Sequence, residues 1–392
     1  MAIGELPLSI HAPSHLTGGR LLQKHMPELD VLRGIAILMV VLYHGLYWSG
    51  AVSSSRIGTR FIQATVFGWL GVNLFFVLSG FLITGILLDT KGGQSYYRRF
   101  YQRRLLRILP AYLATIAVLL LLHHLTVGSA IIALGFLANY ANTFTLSPNY
   151  GPFWSLSVEE QFYLLWPLLV VKVNLRIFTT ISIAICLIEP ILRYLTATGH
   201  LPLGPVREST VLIADNLAFG ALAAIFARSA SGTRRNGVKL GLAAILIGLA
   251  ILVAGLPFGI LHRSNDFGAA FQPVPWNFFF TGLLLSFLGL RSSFFSGIYA
   301  ASMRFLGHIS YGLYLIHLLA FDAYAWLVLH LPSSVQAFLF GAFVRMFLAG
   351  MLAVLIAWLS RKFYEEPFLR MKFDSAPPKS HRLQPDFPNS AL

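Results

Sequence analysis

The stretch 28–44 begins at Glu28 and carries three further ionisable side chains, Asp30, Arg33 and His44, in an otherwise apolar run. Arg33 and His44 are eleven positions apart. At 3.6 residues per turn this is about three turns of helix, so the two side chains share a face about 16 Å apart. Ionisable groups inside a membrane span usually face a protein interior or a water-filled cavity, and histidine can move protons at neutral pH. The pattern predicts either a functional site or an Asp30–Arg33 ion pair beside a structural histidine.

A second basic group lies in the segment 96–110, where five arginines fall within ten residues. Arg104 and Arg107 are one helical turn apart, so both can point at one ligand. Guanidinium groups bind phosphates through two parallel hydrogen bonds. The pattern indicates a cytoplasmic phosphate-bearing ligand, with lipid head groups as the alternative. No Walker-type or Rossmann-type glycine loop accompanies it, so nucleotide hydrolysis is not expected.

Polar side chains also interrupt the apolar run 71–84, namely Asn73 and Ser79, the latter followed by Gly80. Small residues let helices approach each other closely, which is the structural interpretation of Ser79 and Gly80. The functional alternative is a close approach of this backbone to a ligand.

The segment 153–167 contains two adjacent carboxylates, Glu159 and Glu160. Ser157 and Glu160 have capping-box spacing, so one carboxylate could only cap a helix. Tyr163 is one turn beyond Glu159, and both side chains could line one cavity. A carboxylate near a histidine could orient it or raise its basicity.

Late in the chain, Ser310, Tyr314 and His317 fall at helical spacing on one polar stripe. The pattern favours an interhelical hydrogen-bond stripe slightly over a functional site.

The composition predicts a polytopic membrane protein. The chain of 392 residues is 56% hydrophobic and 11% charged, whereas a soluble domain carries about 25% charged residues. The net charge of +14 comes largely from basic residues between apolar runs, a pattern typical of cytoplasmic loops rather than of nucleic-acid binding. The scattered histidines and the single Cys186 predict no metal site and no internal disulfide.

The apolar runs predict an all-α bundle of about ten transmembrane helices. They cover approximately 31–49, 66–88, 107–126, 154–171, 177–195, 211–227, 240–261, 276–290, 305–328 and 336–359. The run 131–146 is expected to be re-entrant or interfacial, because an eleventh span would place most later basic residues outside. Both termini are then cytoplasmic. The predicted organisation is a flexible leader over 1–27, a membrane domain over 28–372 and a disordered tail over 373–392.

In combination and in order, these motifs resemble those of acyltransferase family 3, bacterial integral-membrane enzymes that O-acylate surface glycans and other acceptors. The matching stretches are Leu29-Asp-Val-Leu-Arg-Gly-Ile-Ala with the downstream His44, Gly71 to Leu82, Arg104-Leu-Leu-Arg107, Trp154 to Tyr163, and Ser310 to His317. They cover nearly the whole membrane region.

The resemblance implies a multi-pass protein of the bacterial inner membrane that takes acyl-CoA from the cytoplasm, most commonly acetyl-CoA. It implies that His44, in one motif with Arg33, is the catalytic histidine, and that Arg104 and Arg107 contact the donor. Asn73 departs from the family, because many members have aspartate there. No extracellular SGNH-type esterase domain is expected after the last span, so transfer must be completed in the membrane domain or with a partner protein.

The sequence hypothesis is an integral-membrane O-acetyltransferase with His44 as general base; the less favoured alternative is that His44 carries the acyl group itself. Glu159 or Glu160 would orient His44 or the acceptor, and Ser79 and Gly80 would join the donor site. The expected cavity or acceptor residues are Asp30, Asn73, Ser157, Tyr163, Tyr314 and His317. Acyl-CoA is the co-substrate, with no permanently bound cofactor. A glycan or lipid-linked glycan is the acceptor, and a polysaccharide-biosynthesis complex is a candidate partner.

Two other classes of function share these features. A transporter or flippase for a lipid-linked saccharide would also have intramembrane polar groups and a cavity, but would not bind acyl-CoA. A membrane scaffold for polysaccharide synthesis would tolerate replacement of His44.

Overall fold

The computed structural model describes residues 19–23, 25–144, 150–290 and 293–371. The residues 1–18 of the predicted leader and the whole predicted tail lie outside this part of the chain. The described residues form helices and connecting turns without a β-strand, which confirms the predicted all-α membrane bundle.

The helices are α1 Pro27–Leu42, α2 Arg56–Ala64, α3 Leu70–Thr90, α4 Tyr96–Leu121, α5 Val127–Leu134, α6 Phe153–Lys172, α7 Leu175–Ala197, α8 Thr210–Ile213, α9 Asp215–Arg228, α10 Arg234–Gly255, α11 Asp266–Phe271, α12 Pro273–Leu290, α13 Ser293–Ser296, α14 Ala301–Leu329, α15 Ser333–Leu339, α16 Ala342–Leu359 and α17 Glu366–Arg370. Two of them continue into π-helical turns, α1 into Tyr43–Trp48 and α16 into Ser360–Glu365. Such turns widen a helix locally and occur often at functional sites.

Eight helical segments of the described chain are long and apolar enough to cross a membrane. They are Pro27–Trp48, Arg56–Thr90, Tyr96–Leu121, Leu175–Ala197, Arg234–Phe258, Asp266–Leu290, Ala301–Leu329 and Ala342–Arg370. The other two predicted spans correspond to α6 and α9. The polar residues Glu159, Glu160 and Gln161 lower the hydropathy of α6. The 14 residues of α9 are fewer than the about 20 that a membrane-spanning helix needs.

The described residues of the short run 131–146 contain no helix long enough to cross a membrane, in agreement with the prediction that this run is not a span. It contains the end of α5 and the 3₁₀ segment Ala138–Phe144. The eight residues of α5 rise about 12 Å, less than half of a bilayer core. The start of α4 differs from the prediction, because the helix begins at Tyr96 rather than near 107. Arg104 and Arg107 therefore lie inside a helix, which fixes their relative orientation.

Two glycine contacts set the packing that positions the site. A Cβ atom added to Gly34 of α1 would lie 2.0 Å from the Met303 carbonyl oxygen, and one added to Gly307 of α14 would lie 2.0 Å from that of Asp30. The backbones of α1 and α14 therefore touch near their N-terminal ends. This contact aligns the later turns of the two helices, which carry His44 and His317.

A buried polar network fixes α7 against α9. Arg193 donates hydrogen bonds to Asp215 at 2.8 Å and to the carbonyl oxygens of Leu212 at 2.6 Å and Ala270 at 2.7 Å. The Asp215 carboxylate also accepts from the backbone N–H of Asn216. These bonds satisfy a charged side chain that is 1% exposed, so the network has a structural role.

Candidate active site

A cavity of about 920 Å³, counting its open mouth, lies between α1, α3, α4, α6 and α14. Its lining contains eight of the side chains singled out in the sequence: Arg33, Ser79, Arg104, Arg107, Glu159, Tyr163, Ser310 and Tyr314. Along α3 the lining runs from Val72 to Ile86. Fourteen residues of helix rise about 21 Å, so the cavity is long and narrow enough to take an extended ligand.

One end of the cavity is strongly basic, and we call it the arginine end, formed by Arg33, Arg104 and Arg107. Arg33 is paired with Asp30 at 3.0 Å, the local ion pair that the sequence offered as one alternative. Arg104 lies over the Tyr163 ring, 5.2 Å from its centroid. In the described residues Arg104 and Arg107 have neither a hydrogen-bond acceptor nor a carboxylate partner. Two guanidinium groups are thus available to an anionic ligand.

Polar side chains of α3 and α6 line the middle of the cavity. The hydroxyl groups of Ser79 and Tyr163 are hydrogen-bonded to each other. Glu159 lines the cavity one turn before Tyr163, as the spacing predicts. Glu159 faces the arginine end, where Arg104, Arg107 and Arg33 all interact with it electrostatically. Its negative charge partly balances the three guanidinium groups.

The capping-box interpretation of Ser157 and Glu160 is wrong. The first turn of α6 begins at Phe153, so both residues lie inside the helix. The Ser157 hydroxyl donates to the Phe153 carbonyl oxygen at 2.9 Å and accepts from the Ala138 backbone N–H at 3.2 Å. Neither Ser157 nor Glu160 is among the side chains that line the cavity. The Oε1 atom of Glu160 is buried without a hydrogen-bond partner in the described chain.

His44 is paired with a second histidine. The Nδ1 atom of His44 lies 3.2 Å from the Nε2 atom of His317 and 3.0 Å from the Val40 carbonyl oxygen. The Nδ1 atom of His317 lies 2.8 Å from the Tyr314 carbonyl oxygen. A carboxylate was expected to orient His44, but in the described residues the side chain hydrogen-bonded to it is His317. The reason is that α6 carries Glu159 to the arginine end, whereas α14 runs alongside α1.

These distances assign the protons of the neutral pair. Nδ1 of His317 faces a carbonyl oxygen and therefore carries hydrogen, which leaves its Nε2 as an acceptor. Nδ1 of His44 faces that acceptor and the Val40 carbonyl oxygen, so it carries hydrogen as well. The Nε2 atom of His44 is then unprotonated, and it has no hydrogen-bond partner among the described residues. The arrangement presents His44 as a base.

Tyr314 links the histidine pair to the cavity. Its ring lines the cavity, and its centroid lies 5.9 Å from that of His317. Its hydroxyl group is hydrogen-bonded to that of Ser155 at 2.5 Å. His317 is fully buried, whereas His44 is partly exposed. The pair thus lies behind the end of the cavity opposite the arginines, which we call the tyrosine end.

Two other candidates have packing roles. Gly80 is absent from the cavity lining, and a Cβ atom added to it would lie 2.0 Å from the Leu217 carbonyl oxygen of α9. The buried Asn73 side chain donates a hydrogen bond to Asn216 at 2.6 Å and joins the polar network of α9. The geometry therefore favours the helix-packing interpretation of Gly80 over a donor contact.

Two polar cavity residues, Ser155 and Tyr311, were not predicted from the sequence. Ser155 is four residues before Glu159, so the shared face of a helix was a usable signal. Tyr311 adjoins the polar stripe of α14, and its hydroxyl group donates to the Ile108 carbonyl oxygen at 2.8 Å. Nothing in the sequence indicates that contact with α4.

The fold and the site together define a helical membrane bundle with a basic cavity and a neighbouring histidine pair. A family described as an acyltransferase domain matches residues 26–362. The chain therefore belongs to acyltransferase family 3, which confirms the resemblance.

Several named O-acetyltransferases are similar to this chain. One is YrhL of Bacillus subtilis, whose name gives peptidoglycan O-acetyltransferase as an unproven activity. It is 30% identical over an alignment of 388 residues, which covers 90% of this chain and 56% of YrhL. Peptidoglycan O-acetyltransferase OatA of Listeria monocytogenes is 34% identical over 165 residues, 37% of this chain and 24% of OatA. O-acetyltransferase OatA of Staphylococcus aureus is 32% identical over 171 residues, 38% of this chain and 25% of OatA. The chain thus spans little more than half of YrhL. No solved structure matches the chain significantly.

Proposed function

We propose that this acyltransferase moves an acetyl group from acetyl-CoA to a hydroxyl group of a glycan, with His44 as the general base. The observation that carries the proposal is the long cavity, with the histidine pair behind one end and, at the other, two guanidinium groups that have no partner among the described residues. The names of the relatives support a glycan, and peptidoglycan in particular, as the acceptor.

In this proposal the phosphates of the donor bind at the arginine end, on the cytoplasmic side. Arg104 and Arg107 supply free forks for phosphate oxygens, and Arg33 adds positive charge at the same mouth. The pantetheine arm then follows the apolar wall of α3 toward Tyr314. The thioester carbonyl lies at the tyrosine end, nearest to the histidine pair.

The acceptor hydroxyl approaches the free Nε2 atom of His44. Nε2 takes the hydroxyl proton as the oxygen attacks the thioester carbonyl carbon, which forms the ester C–O bond. The C–S bond breaks, and the thiolate of CoA receives the proton from the His44 imidazolium. The hydrogen bond between Nδ1 of His44 and His317 holds the ring in the tautomer that this step requires.

The proposal is tested with purified protein in lipid nanodiscs, radiolabelled acetyl-CoA and peptidoglycan glycan strands. We expect base-labile label on the glycan with the native chain, and none with His44→Gln. Labelled acetyl-CoA that neither binds nor is consumed would contradict the proposal. In that event, transport of a lipid-linked saccharide in proteoliposomes would be measured.

A further inference from the structure

Two arginines on the predicted outer side of the membrane form a pair. Arg207 donates a hydrogen bond from its guanidinium group to the backbone carbonyl oxygen of Arg263. This bond joins the segment 198–209, before α8, to the segment 259–265, before α11. Basic residues concentrate in cytoplasmic loops, so a basic pair on the opposite side is unusual.

The guanidinium group of Arg263 is held in place and has no acidic partner within the described part of the chain. Its central carbon lies 3.9 Å from the centroid of the Trp69 ring, a cation–π contact. In the described chain no salt bridge joins Arg207 or Arg263 to a carboxylate. The carboxylate of Glu208 interacts with Arg207 rather than with Arg263. Burial and the neighbouring Arg207 lower the pKa of Arg263 to about 10, so Arg263 stays charged at neutral pH.

Residues between this pair and His44 lie close to both. Trp69 follows Gly68, where an added Cβ atom would lie 2.7 Å from the Cβ atom of Tyr43. The Tyr43 ring meets the His44 ring edge-on, with centroids 5.0 Å apart. The Tyr43 phenol interacts electrostatically with both arginines. Tyr43 is thus the residue that connects the arginine pair with His44.

We propose that Arg263, supported by Arg207, binds an anionic oxygen group of the glycan acceptor, either a carboxylate or a phosphate. The proposal rests on the proposed function, because the ligand of Arg263 is taken to be the acceptor whose hydroxyl group His44 activates. A guanidinium fork binds both groups through paired, charge-assisted hydrogen bonds. The stack on Trp69 preorganises that fork. The head-group phosphate of a lipid could bind an interfacial arginine in the same way, so the test also includes an anionic lipid.

The test measures binding of defined sugars to the full chain in phosphatidylcholine nanodiscs without donor. The probes are an N-acetylglucosamine–N-acetylmuramic acid tetrasaccharide with free lactyl carboxylates, its methyl ester, and that ester carrying a 1-phosphate. The native chain should bind at least one anionic probe about tenfold or more tighter than the neutral ester. Arg263→Gln should bind all three alike, and Arg263→Lys should keep part of the preference. Arg56→Gln, which alters another exposed outer arginine, should behave like the native chain.

An anion preference that survives in Arg263→Gln, or its absence from the native chain, would overturn the proposal. A lipid occupant would give a third result. Phosphatidylglycerol would then raise the melting temperature of the native chain but not of Arg263→Gln, and no sugar preference would depend on Arg263. Because no donor is present, these outcomes are separate from acetyl transfer. A chain that selects anionic sugars but never consumes acetyl-CoA would contradict only the proposed chemistry.

Discussion

Replacing Arg107 by alanine should weaken donor binding without destabilising the protein. In the described residues the Arg107 guanidinium group has no acceptor, so the substitution removes no protein hydrogen bond. It also removes one of the positive charges clustered at the arginine end. A hydrogen bond to a charged group contributes about 1.5–3 kcal/mol, which corresponds to a loss of about 10- to 150-fold in the affinity for CoA.

The assay is calorimetric titration of CoA into purified protein in detergent, with pantetheine as the ligand that lacks phosphates. Arg107→Ala should lose affinity for CoA and keep its affinity for pantetheine. The matched control is Arg103→Ala, because Arg103 is an exposed arginine of the same helix outside the cavity. Arg103→Ala should bind CoA like the native chain. A CoA affinity of Arg107→Ala within about twofold of native, in a variant with native melting temperature, would refute the assignment of this end to donor phosphates.

Two further substitutions test the histidine pair and the helix packing. His317→Phe should lower kcat by about 10- to 100-fold, the range seen when residues that orient metal-bound histidines are removed, while CoA affinity stays unchanged. His317→Gln, which keeps an acceptor, should recover part of the rate, and equal rates for the two variants would show that His317 only fills space. Gly80→Val should destabilise the protein by about 1–3 kcal/mol through overpacking against α9. Gly151→Ala is its control, because an added Cβ atom there meets nothing nearer than 3.6 Å, and equal melting temperatures would contradict the close packing.

The parts of the site that lie on one helix were predictable from the sequence. Helical periodicity places Arg104 beside Arg107 and Glu159 beside Tyr163, whatever the rest of the fold does. The structure brings all four side chains into one cavity. The spacing of charged and apolar residues likewise predicted the bundle, since a long apolar run has few alternatives to a helix in a membrane.

The contacts between helices were not predictable in the same way. His44 and His317 are 273 positions apart, and no spacing rule relates them. Their meeting depends on the close contacts of Gly34 with Met303 and of Gly307 with Asp30, between α1 and α14, which only the three-dimensional packing reveals. The expectation that a carboxylate orients His44 failed for this reason, because it assumed that α6 and α1 meet at the histidine.

The beginnings of helices were a second source of error. Ser157 has the residue type and spacing of a cap, yet α6 begins at Phe153. Apolar packing of the Phe153 side chain, which is fully buried, extends the helix past the polar signal. Tertiary burial therefore outweighed the local capping preference.

The most direct test of the account compares His44→Ala with the native chain in a single turnover of radiolabelled acetyl-CoA. Both proteins should bind the donor equally well, because His44 lies outside the cavity lining. Only the native chain should pass the label to a glycan hydroxyl. If His44→Ala transferred label at the native rate, the base would be another residue, and the central claim would be contradicted.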